Sequence, residues 1–197
     1  MQNAKEDRAQ LRSKILSTRR ALPEDYIIQS SKTVLGSLLY HPFLRQKRRI
    51  CSYMNVRGEI NTHEINDFLL KAGHTLALPV MGDRRGHMKF YTVTDLLRLT
   101  PNKFSILEPQ PDEQTLLIPD NVDMILVPLV GFDMQGNRLG MGGGYYDRML
   151  KKVSADCLCI GLAYDFQCVE EIPIEDWDMP LDEVITPTGH HIFNRKY

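Results

Sequence analysis

The chain has 197 residues, of which 43% are hydrophobic and 25% charged, and its formal net charge is −1. Such a composition is typical of one globular domain with a single core and excludes a largely disordered chain. No apolar run approaches the roughly 20 residues that a membrane span requires, and the amino terminus lacks the apolar segment of a secretory signal. We therefore expect a cytoplasmic protein without membrane association.

Charge is unevenly distributed along the chain. Residues 1–50 carry eleven Lys and Arg against four Asp and Glu, a balance of +7, and the remainder has thirteen against twenty-one, a balance of −8. A basic front segment of this kind can bind nucleic acid, hold an anionic ligand, or pair with the acidic body of its own chain. Nucleic acid is the weakest of the three, because no basic stretch is interleaved with aromatic residues that could stack on bases.

Two helices are predicted at the amino terminus. Residues 4–21 have Leu11 and Ile15 at helical spacing among several arginines, which predicts a basic amphipathic helix within an arm of residues 1–22. A second helix is expected from Pro23 to Leu39, because proline is favoured in the first turn of a helix.

A strand–helix–strand unit follows these helices. Its first strand is predicted at residues 49–54, its helix runs from a cap at Asn61-Thr62 to Lys71, and its second strand covers residues 75–80. Gly73 is placed to end the helix in a left-handed conformation.

The remaining chain continues this alternation. Strands are predicted at residues 88–92, 123–130, 157–163 and 184–186, with a proline-punctuated connection over residues 101–119 and a helix over residues 145–153. The strand at 123–130 is almost wholly apolar, as expected for a central strand that is covered on both faces. Together the elements predict an α/β fold in one domain of residues 1–197, a three-layer sandwich with a mainly parallel central sheet, preceded by the basic helix.

The cysteines and histidines suggest no metal centre. The four cysteines include no CxxC pair and have no histidine at zinc-finger spacing. Cys157 and Cys159 are expected on one buried face of a strand, as structural side chains. The six histidines form no recognisable constellation, and the pair His190-His191 is expected in a solvated tail, with adventitious metal binding as the alternative.

A glycine-rich segment, GNRLGMGGGYYDR at residues 136–148, lies between the most buried predicted strand and a helix. Glycines let the backbone approach a ligand and present successive N–H groups, and a helix amino terminus adds about half a positive charge. With Arg138 and Arg148 beside it at a strand end, the loop predicts an anion site, although a tight glycine turn is the alternative. It matches neither GxxxxGK[ST] nor GxGxxG. Next to phosphates Asp147 could reach magnesium, or it is an ordinary residue of the first helical turn.

These motifs together resemble the 5-formyltetrahydrofolate cyclo-ligase family. The resemblance is carried by VPLVGFD at residues 127–133 and by the glycine-rich segment. It extends to Leu11-Arg12, Gly58-Glu59-Ile60, Glu108-Pro109 and the closing WDMPLDEVITP at residues 177–187, and so spans almost the whole chain. The resemblance implies a ligase that uses MgATP to convert 5-formyltetrahydrofolate into 5,10-methenyltetrahydrofolate, with release of ADP and phosphate.

The implied reaction begins with phosphorylation of the formyl oxygen, because a formamide carbonyl is a poor electrophile and its oxygen a bad leaving group. N10 of the folate then attacks the activated carbon, phosphate departs and a carbon–nitrogen bond is formed. Such a reaction requires positioning and charge neutralisation more than an acid–base pair. The implied partners are the two small molecules and Mg²⁺, with no nucleic acid, no membrane and no obligatory protein partner.

By this resemblance, most site residues fall in the glycine-rich segment. The nucleotide would be held by Arg8, Arg12, Arg138, Leu139, Gly140, Met141, Gly142, Gly143, Gly144, Tyr145 and Tyr146. The folate would be bound by Met54, Glu59, Met141, Gly142, Gly143, Gly144 and Tyr145, and magnesium by Asp147 and Asp178. Arg148 and Tyr145 are the expected catalytic residues.

Several of these assignments have simpler alternatives. Glu59 could accept the paired N–H donors of a pterin ring, or it is only an acidic residue that precedes a helix. Met54 is either a pocket residue or part of the core, and Arg8 and Arg12 are either nucleotide ligands or solvated helix charges. Trp177 is expected to be a packing anchor for the turn that follows it.

Two positions depart from the family pattern. Gly143 stands where many members place a lysine, so one cation is missing from the loop and Arg148 is the expected replacement. Ile106 stands where some members have a tryptophan that stacks on the pterin, so another aromatic ring must supply that contact. The candidates for stacking are Tyr145, which is the best placed, Phe104 and Tyr91.

Two other classes of function stay open on the residues alone. A sugar-phosphate isomerase or deacylase of similar architecture would use the anion loop without ATP and would need a general base, for which Glu59 could serve. A regulatory module that binds RNA or nucleotides would use the basic front segment, against which the acidic body and the missing stacking surface argue. The ligase resemblance is the leading hypothesis.

Overall fold

A computed structural model describes residues 2–82, 84 and 86–197. The helices are α1 (Gln2–Arg20), α2 (Glu24–Leu39), α3 (His63–Lys71) and α4 (Tyr145–Leu150). The strands are β1 (Arg49–Cys51), β2 (Thr75–Met81), β3 (Met88–Val93), β4 (Thr100–Pro101), β5 (Leu107–Glu108), β6 (Leu116–Leu117), β7 (Met124–Val127), β8 (Gly131–Phe132), β9 (Arg138–Leu139), β10 (Leu158–Leu162), β11 (Glu183–Ile185) and β12 (His190–Ile192). None of the helices in this described part could serve as a membrane span, since each is too short or too polar.

Eight strands form one sheet in the order β12-β11-β10-β7-β1-β2-β3-β6. The five strands from β11 to β2 run parallel, whereas β12 at one edge and β3 and β6 at the other pair antiparallel. This arrangement confirms the predicted α/β fold with a mainly parallel sheet. The predicted strand–helix–strand unit is also confirmed, because β1 and β2 pair in parallel and α3 connects them.

Both faces of the sheet are covered, because the central strand β7 is buried at every position. Leu126 belongs to a core cluster that includes residues of α2 and α3, and its neighbour Val127 belongs to a second cluster that includes residues of α4. Successive side chains of a strand point to opposite faces, so helices lie on both sides of the sheet. Cys157 and Cys159 are buried together in the second cluster, as predicted for structural cysteines.

Several predicted elements are shorter in the structure. β7 ends at Val127 rather than residue 130, because Pro128 has no N–H to donate to a strand ladder. The helix predicted to residue 153 ends at Leu150, and β10 begins at Leu158 rather than at residue 157. These three differences lie at element ends, where the hydrophobic pattern is least informative.

The predicted residues at the two ends of α3 are confirmed to different extents. Thr62 precedes it as predicted, but its hydroxyl donates to the carbonyl of Tyr53 at 2.6 Å instead of capping the helix. The Asn61 side-chain oxygen accepts from the N–H of His63 at 2.9 Å and takes that role. At the other end Gly73 has φ +79°, which confirms the predicted left-handed helix end.

The carboxyl terminus is ordered as a strand, so the prediction of a solvated tail at His190-His191 is wrong. β12 pairs with β11, and Nε2 of His190 lies 2.7 Å from a carboxylate oxygen of Glu183. The same oxygen lies 2.9 Å from Nε2 of His41, which follows α2. The expectation that the histidines form no constellation is therefore wrong as well.

This cluster has ligand types that a metal ion accepts, but its hydrogen bonds favour a metal-free interpretation. Nδ1 of His41 accepts from the backbone N–H of Phe43 at 3.3 Å. A neutral imidazole carries one proton, so that proton sits on Nε2 and points at Glu183. A metal ion would need the Nε2 lone pair. We therefore interpret the cluster as a hydrogen-bonded link between the end of α2 and the edge strands.

Replacing Glu183 with glutamine should reduce stability in a pH-dependent way. Burial opposes ionisation of this carboxyl, but hydrogen bonds from His190 and His41 lower its pKa to about 2 from an ordinary value of 4.5. The stabilisation is therefore complete above about pH 4.5 and is lost as the pH falls toward about 2. Glu183→Gln should lower the free energy of unfolding in urea by about 1.5–3 kcal/mol at neutral pH.

The difference between wild type and Glu183→Gln should shrink between about pH 4.5 and pH 2. The exposed Glu171 gives a matched control, and Glu171→Gln should change stability by less than about 0.5 kcal/mol. A deficit of Glu183→Gln that is the same at neutral pH and at about pH 3 would contradict the assignment.

Candidate functional site

A cleft of about 1260 Å³ opens at the carboxyl ends of the central parallel strands. Residues of β2 and segments that follow β1 and β7 line it, together with the glycine-rich loop that precedes α4. Arg8 and Arg19 of α1 and Asp178 of the carboxyl-terminal segment complete the wall. Strand ends of a parallel sheet are where α/β proteins bind ligands, so this cleft is the candidate site.

Most of the site residues predicted from the sequence line this cleft. They are Arg8, Met54, Glu59, Arg138, Gly140, Met141, Gly142, Gly143, Gly144, Tyr145, Tyr146, Asp147, Arg148 and Asp178. Two residues that were predicted to bind the nucleotide, Leu139 and Arg12, are not among the residues that line the cleft. The side chain of Leu139 is buried, so Leu139 could contact a ligand only through its backbone. Arg12 approaches the loop from α1, where its Nε donates to the carbonyl of Gly140 at 2.8 Å.

The glycine-rich loop depends on glycine at two positions for its backbone. Gly142 and Gly144 have φ of +85° and +67°, in the left-handed region that residues with a side chain rarely adopt. Gly143 is constrained differently, because a Cβ there would lie 2.7 Å from the ring of Tyr145. A lysine at position 143, as many family members have, would therefore require the Tyr145 ring to move.

An arginine at each end fixes the loop. Arg12 holds the carbonyl of Gly140, and Nη1 of Arg148 donates to the carbonyls of Gly143 and Gly144 at 3.1 and 3.0 Å. These contacts hold the backbone of the loop, whose N–H groups are the donors that an anion would use. The guanidinium of Arg148 lies beside these groups, in the wall of the cleft.

The two carboxylates predicted to bind magnesium each contact an arginine. Asp147 accepts a hydrogen bond from Arg138, whose side chain is almost fully buried, and Asp178 is paired with Arg8 of α1. Both carboxylates line the cleft beside the loop. Mg²⁺ is usually held by one or two carboxylates together with phosphate oxygens. The donor set therefore fits a magnesium–phosphate site.

Glu59 is a buried carboxylate in the loop after β1, with 7% of its surface exposed. One of its oxygens accepts from the backbone N–H of Val56 at 3.0 Å, and the other lies 3.5 Å from Nη2 of Arg19. Burial raises the pKa of Glu59, while the hydrogen bond from Val56 and the charges of Arg19 and Arg57 act in the opposite direction. A carboxylate in this setting can accept paired N–H donors from a ring that enters the cleft.

Apolar side chains line the same cleft and could cover such a ring. They are Met54, Val56, Pro79, Met81, Met88, Phe104 and Ile106. Of the three candidates for stacking, Tyr145 and Phe104 line the cleft, whereas Tyr91 is buried on β3. Trp177 also lines the cleft and is 55% exposed, so its prediction as a packing anchor is wrong.

Arg19 is the residue of this site that sequence reasoning missed. It lies one turn after Ile15 and one turn before Leu22, and so falls on the apolar stripe of the helix. A charged residue on such a stripe signals a buried partner, because an unpaired buried charge is costly. In the structure Arg19 is 1% exposed and faces Glu59.

The fold and the site together define an α/β protein with a ligand cleft at the strand ends, whose wall combines a glycine-rich loop, arginines and carboxylates. The sequence model of the 5-formyltetrahydrofolate cyclo-ligase family matches residues 4–187. The chain belongs to this family, as the sequence motifs predicted.

Several individual proteins show the same relationship. The 5-formyltetrahydrofolate cyclo-ligase of Escherichia coli K12 is 32% identical over 176 residues, which cover 88% of this chain and 97% of that protein. The protein of the same name from Haemophilus influenzae is 34% identical over 180 residues, covering 90% and 96%. The NMR structure of the Aquifex aeolicus 5,10-methenyltetrahydrofolate synthetase has a TM-score of 0.83 at 33% identity, over 95% of this chain and 93% of that one. These names agree with the prediction of an enzyme of the ligase class.

Proposed function

We propose that this chain cyclises 5-formyltetrahydrofolate to 5,10-methenyltetrahydrofolate, using ATP as co-substrate and Mg²⁺ as cofactor, with release of ADP and phosphate. The observation that carries the proposal is one cleft that combines a buried carboxylate, an apolar wall and a glycine loop flanked by arginines. The names of the relatives support the same activity.

In this proposal the folate ring binds in the half of the cleft that contains Glu59. The carboxylate accepts two parallel N–H donors from the pterin, and charge-assisted pairs of this kind give both affinity and orientation. Met54 and the apolar side chains of β2 cover one face of the ring, and Tyr145 is the aromatic residue placed to stack on it.

The nucleotide phosphates bind at the glycine-rich loop in the other half of the cleft. Loop N–H groups and the guanidinium groups of Arg138 and Arg148 neutralise the phosphate charge. Arg8 brings the basic helix α1 over this half of the site. Asp147 and Asp178 would hold magnesium, which when bound shields the charge of the transferring phosphoryl group.

The chain contributes positioning to the reaction. Phosphoryl transfer to the formyl oxygen makes the formyl carbon electrophilic and turns its oxygen into a leaving group. N10 then attacks that carbon, the C–O bond to the phosphate breaks, and N10 loses its proton, which the departing phosphate can accept. No strong base is needed to start this sequence, so an active site of fixed donors and cations is sufficient. A general base is the requirement of the isomerase alternative, whereas in this proposal Glu59, paired with Arg19, serves as a hydrogen-bond acceptor.

A direct assay tests the proposal. Purified protein mixed with MgATP and 5-formyltetrahydrofolate should produce methenyl absorbance and ADP in equal amounts. Reactions without ATP or with excess chelator should produce neither. ATP hydrolysis without a methenyl product, or no reaction at all, would contradict the proposed activity.

Asp147→Asn should abolish most turnover and leave folate binding nearly unchanged, because the carboxylate serves magnesium and phosphates rather than the pterin. Asparagine can still accept the hydrogen bond from Arg138, so the fold should be retained. Turnover and the dissociation constant for 5-formyltetrahydrofolate are measured separately. Asp67→Asn, at a surface ion pair with Lys71, is the control. Weakened folate binding with intact turnover would overturn the assignment.

Arg148→Ala should lower kcat far more than the loss of a surface arginine, since Arg148 supplies the cation that a loop lysine supplies in other members. An ordinary surface charge contributes about 0–1 kcal/mol, and the exposed Arg20 provides the matched Arg20→Ala control. We expect a loss of more than about tenfold in kcat, corresponding to over about 1.4 kcal/mol. Wild-type kcat at saturating MgATP would show that the loop works through its backbone N–H groups.

A further inference from the structure

We propose that Arg19 is a positioning residue for the folate, which keeps the Glu59 carboxylate ionised and directed into the cleft. The inference rests on the proposed function and adds to it a residue for which neither the family pattern nor the sequence motifs gave a role. Arg19 acts through Glu59 and is therefore not itself a catalytic residue.

The geometry holds the guanidinium of Arg19 in one place. Its Nε donates to the carbonyl of Arg57 at 3.1 Å, and its Nη1 donates to the carbonyl of Leu129 at 3.1 Å. The third nitrogen, Nη2, has no hydrogen-bond partner among the described residues and lies 3.5 Å from Oε1 of Glu59. Two nitrogens of the guanidinium are thus held by the segments that follow β1 and β7, and the third faces the carboxylate of Glu59.

The backbone of the same region is closely packed. A Cβ at Gly58 would lie 3.1 Å from the carbonyl oxygen of Arg19, and Gly58 itself has φ +73°. The end of α1 therefore rests against the residue that precedes Glu59. This contact limits where the Glu59 backbone can go and makes the distance between the two charges a fixed feature of the fold.

Arg19 is the buried cation beside Glu59. The other charged neighbour is Arg57 of the same loop, whose side chain is exposed and whose charge is screened by solvent. The remaining titratable groups that face Glu59 come from the loop after β1, from α4 and from the segment after β10. They are Tyr53, Tyr146 and Tyr164, and burial raises the pKa of each. These tyrosines are neutral near pH 7, so they supply no positive charge.

Ionisation of Glu59 determines what it can bind. An ionised carboxylate accepts two N–H donors, whereas a protonated carboxyl donates one hydrogen bond and repels one of those donors. Burial already raises the pKa of Glu59, so loss of the neighbouring cation should raise it further. Folate affinity should then fall as the pH decreases, which does not happen while Arg19 is present.

The test measures the dissociation constant for 5-formyltetrahydrofolate by calorimetry, without ATP, from about pH 6 to about pH 9. Wild type should vary by less than about twofold over this range. Arg19→Gln should bind more weakly at the acidic end than at the basic end, by clearly more than the variation of wild type, since a raised pKa leaves more of the Glu59 carboxyl protonated at low pH. Glu59→Gln should bind weakly at every pH, and the double variant should show no pH dependence.

Further variants separate this role from a structural one. Arg19→Lys keeps the charge but loses the carbonyl contacts, so it should retain pH-independent binding even if its melting temperature falls. Arg20→Gln, at the exposed neighbouring position, should behave like wild type. An affinity of Arg19→Gln that is unchanged, or that is reduced equally at every pH, overturns the positioning role. The same holds if Arg19→Lys is as pH-dependent as Arg19→Gln. Failure of the wild-type protein to bind the folate would instead overturn the proposed function.

Discussion

The packing of one basic helix against the ends of the parallel strands is the constraint on which the rest of the site depends. α1 reaches three separate segments through arginines spaced along its length. Arg8 pairs with Asp178, Arg12 holds the carbonyl of Gly140, and Arg19 faces Glu59. These contacts connect the carboxyl-terminal segment, the glycine-rich loop and the loop after β1. Removal of the helix would release each wall of the cleft from the others.

The same contacts explain the uneven distribution of charge. A balance of +7 over residues 1–50 against −8 over the remainder allowed three interpretations, and the structure favours pairing within the chain. The side chains of Arg8 and Arg19 turn toward carboxylates of the chain's own cleft. A surface for nucleic acid would instead present such side chains outward beside aromatic rings. Because the charges of Arg8 and Arg19 are balanced by carboxylates, the loop region with Arg148 is the positive part of the cleft.

Central elements of the fold could be predicted from the sequence, while its edges could not. β7 is apolar at every position, and the segment containing β1, α3 and β2 has the capping residues and glycine that mark a crossover unit. The edge strands β6 and β12 have two and three residues, which is too short for any periodicity to emerge. Their pairing is determined by the neighbouring strands, which is tertiary information.

Some residues of the site could likewise be predicted from the sequence, and others could not. The glycine-rich loop is contiguous in the sequence, so its glycines, arginines and Asp147 could be recognised together. The pair of Arg19 with Glu59 and the cluster of His41 with Glu183 and His190 join residues from distant parts of the chain. Spacing arguments apply only within one element, and no pattern in the sequence connects these residues. Only the unexpected charge of Arg19 on an apolar stripe gave a local signal.

Local packing also connects the glycine at position 143 with the arginine at position 148. A Cβ at Gly143 would meet the ring of Tyr145, and a Cβ at Gly144 would lie 2.9 Å from Nη1 of Arg148. A side chain at position 144 would therefore push the guanidinium of Arg148 from its present place. A lysine at position 143 would displace the aromatic ring, whereas Arg148 in the last turn of α4 reaches the carbonyls of Gly143 and Gly144. In this chain the ring of Tyr145 therefore packs against Gly143, and the guanidinium of Arg148 packs against Gly144.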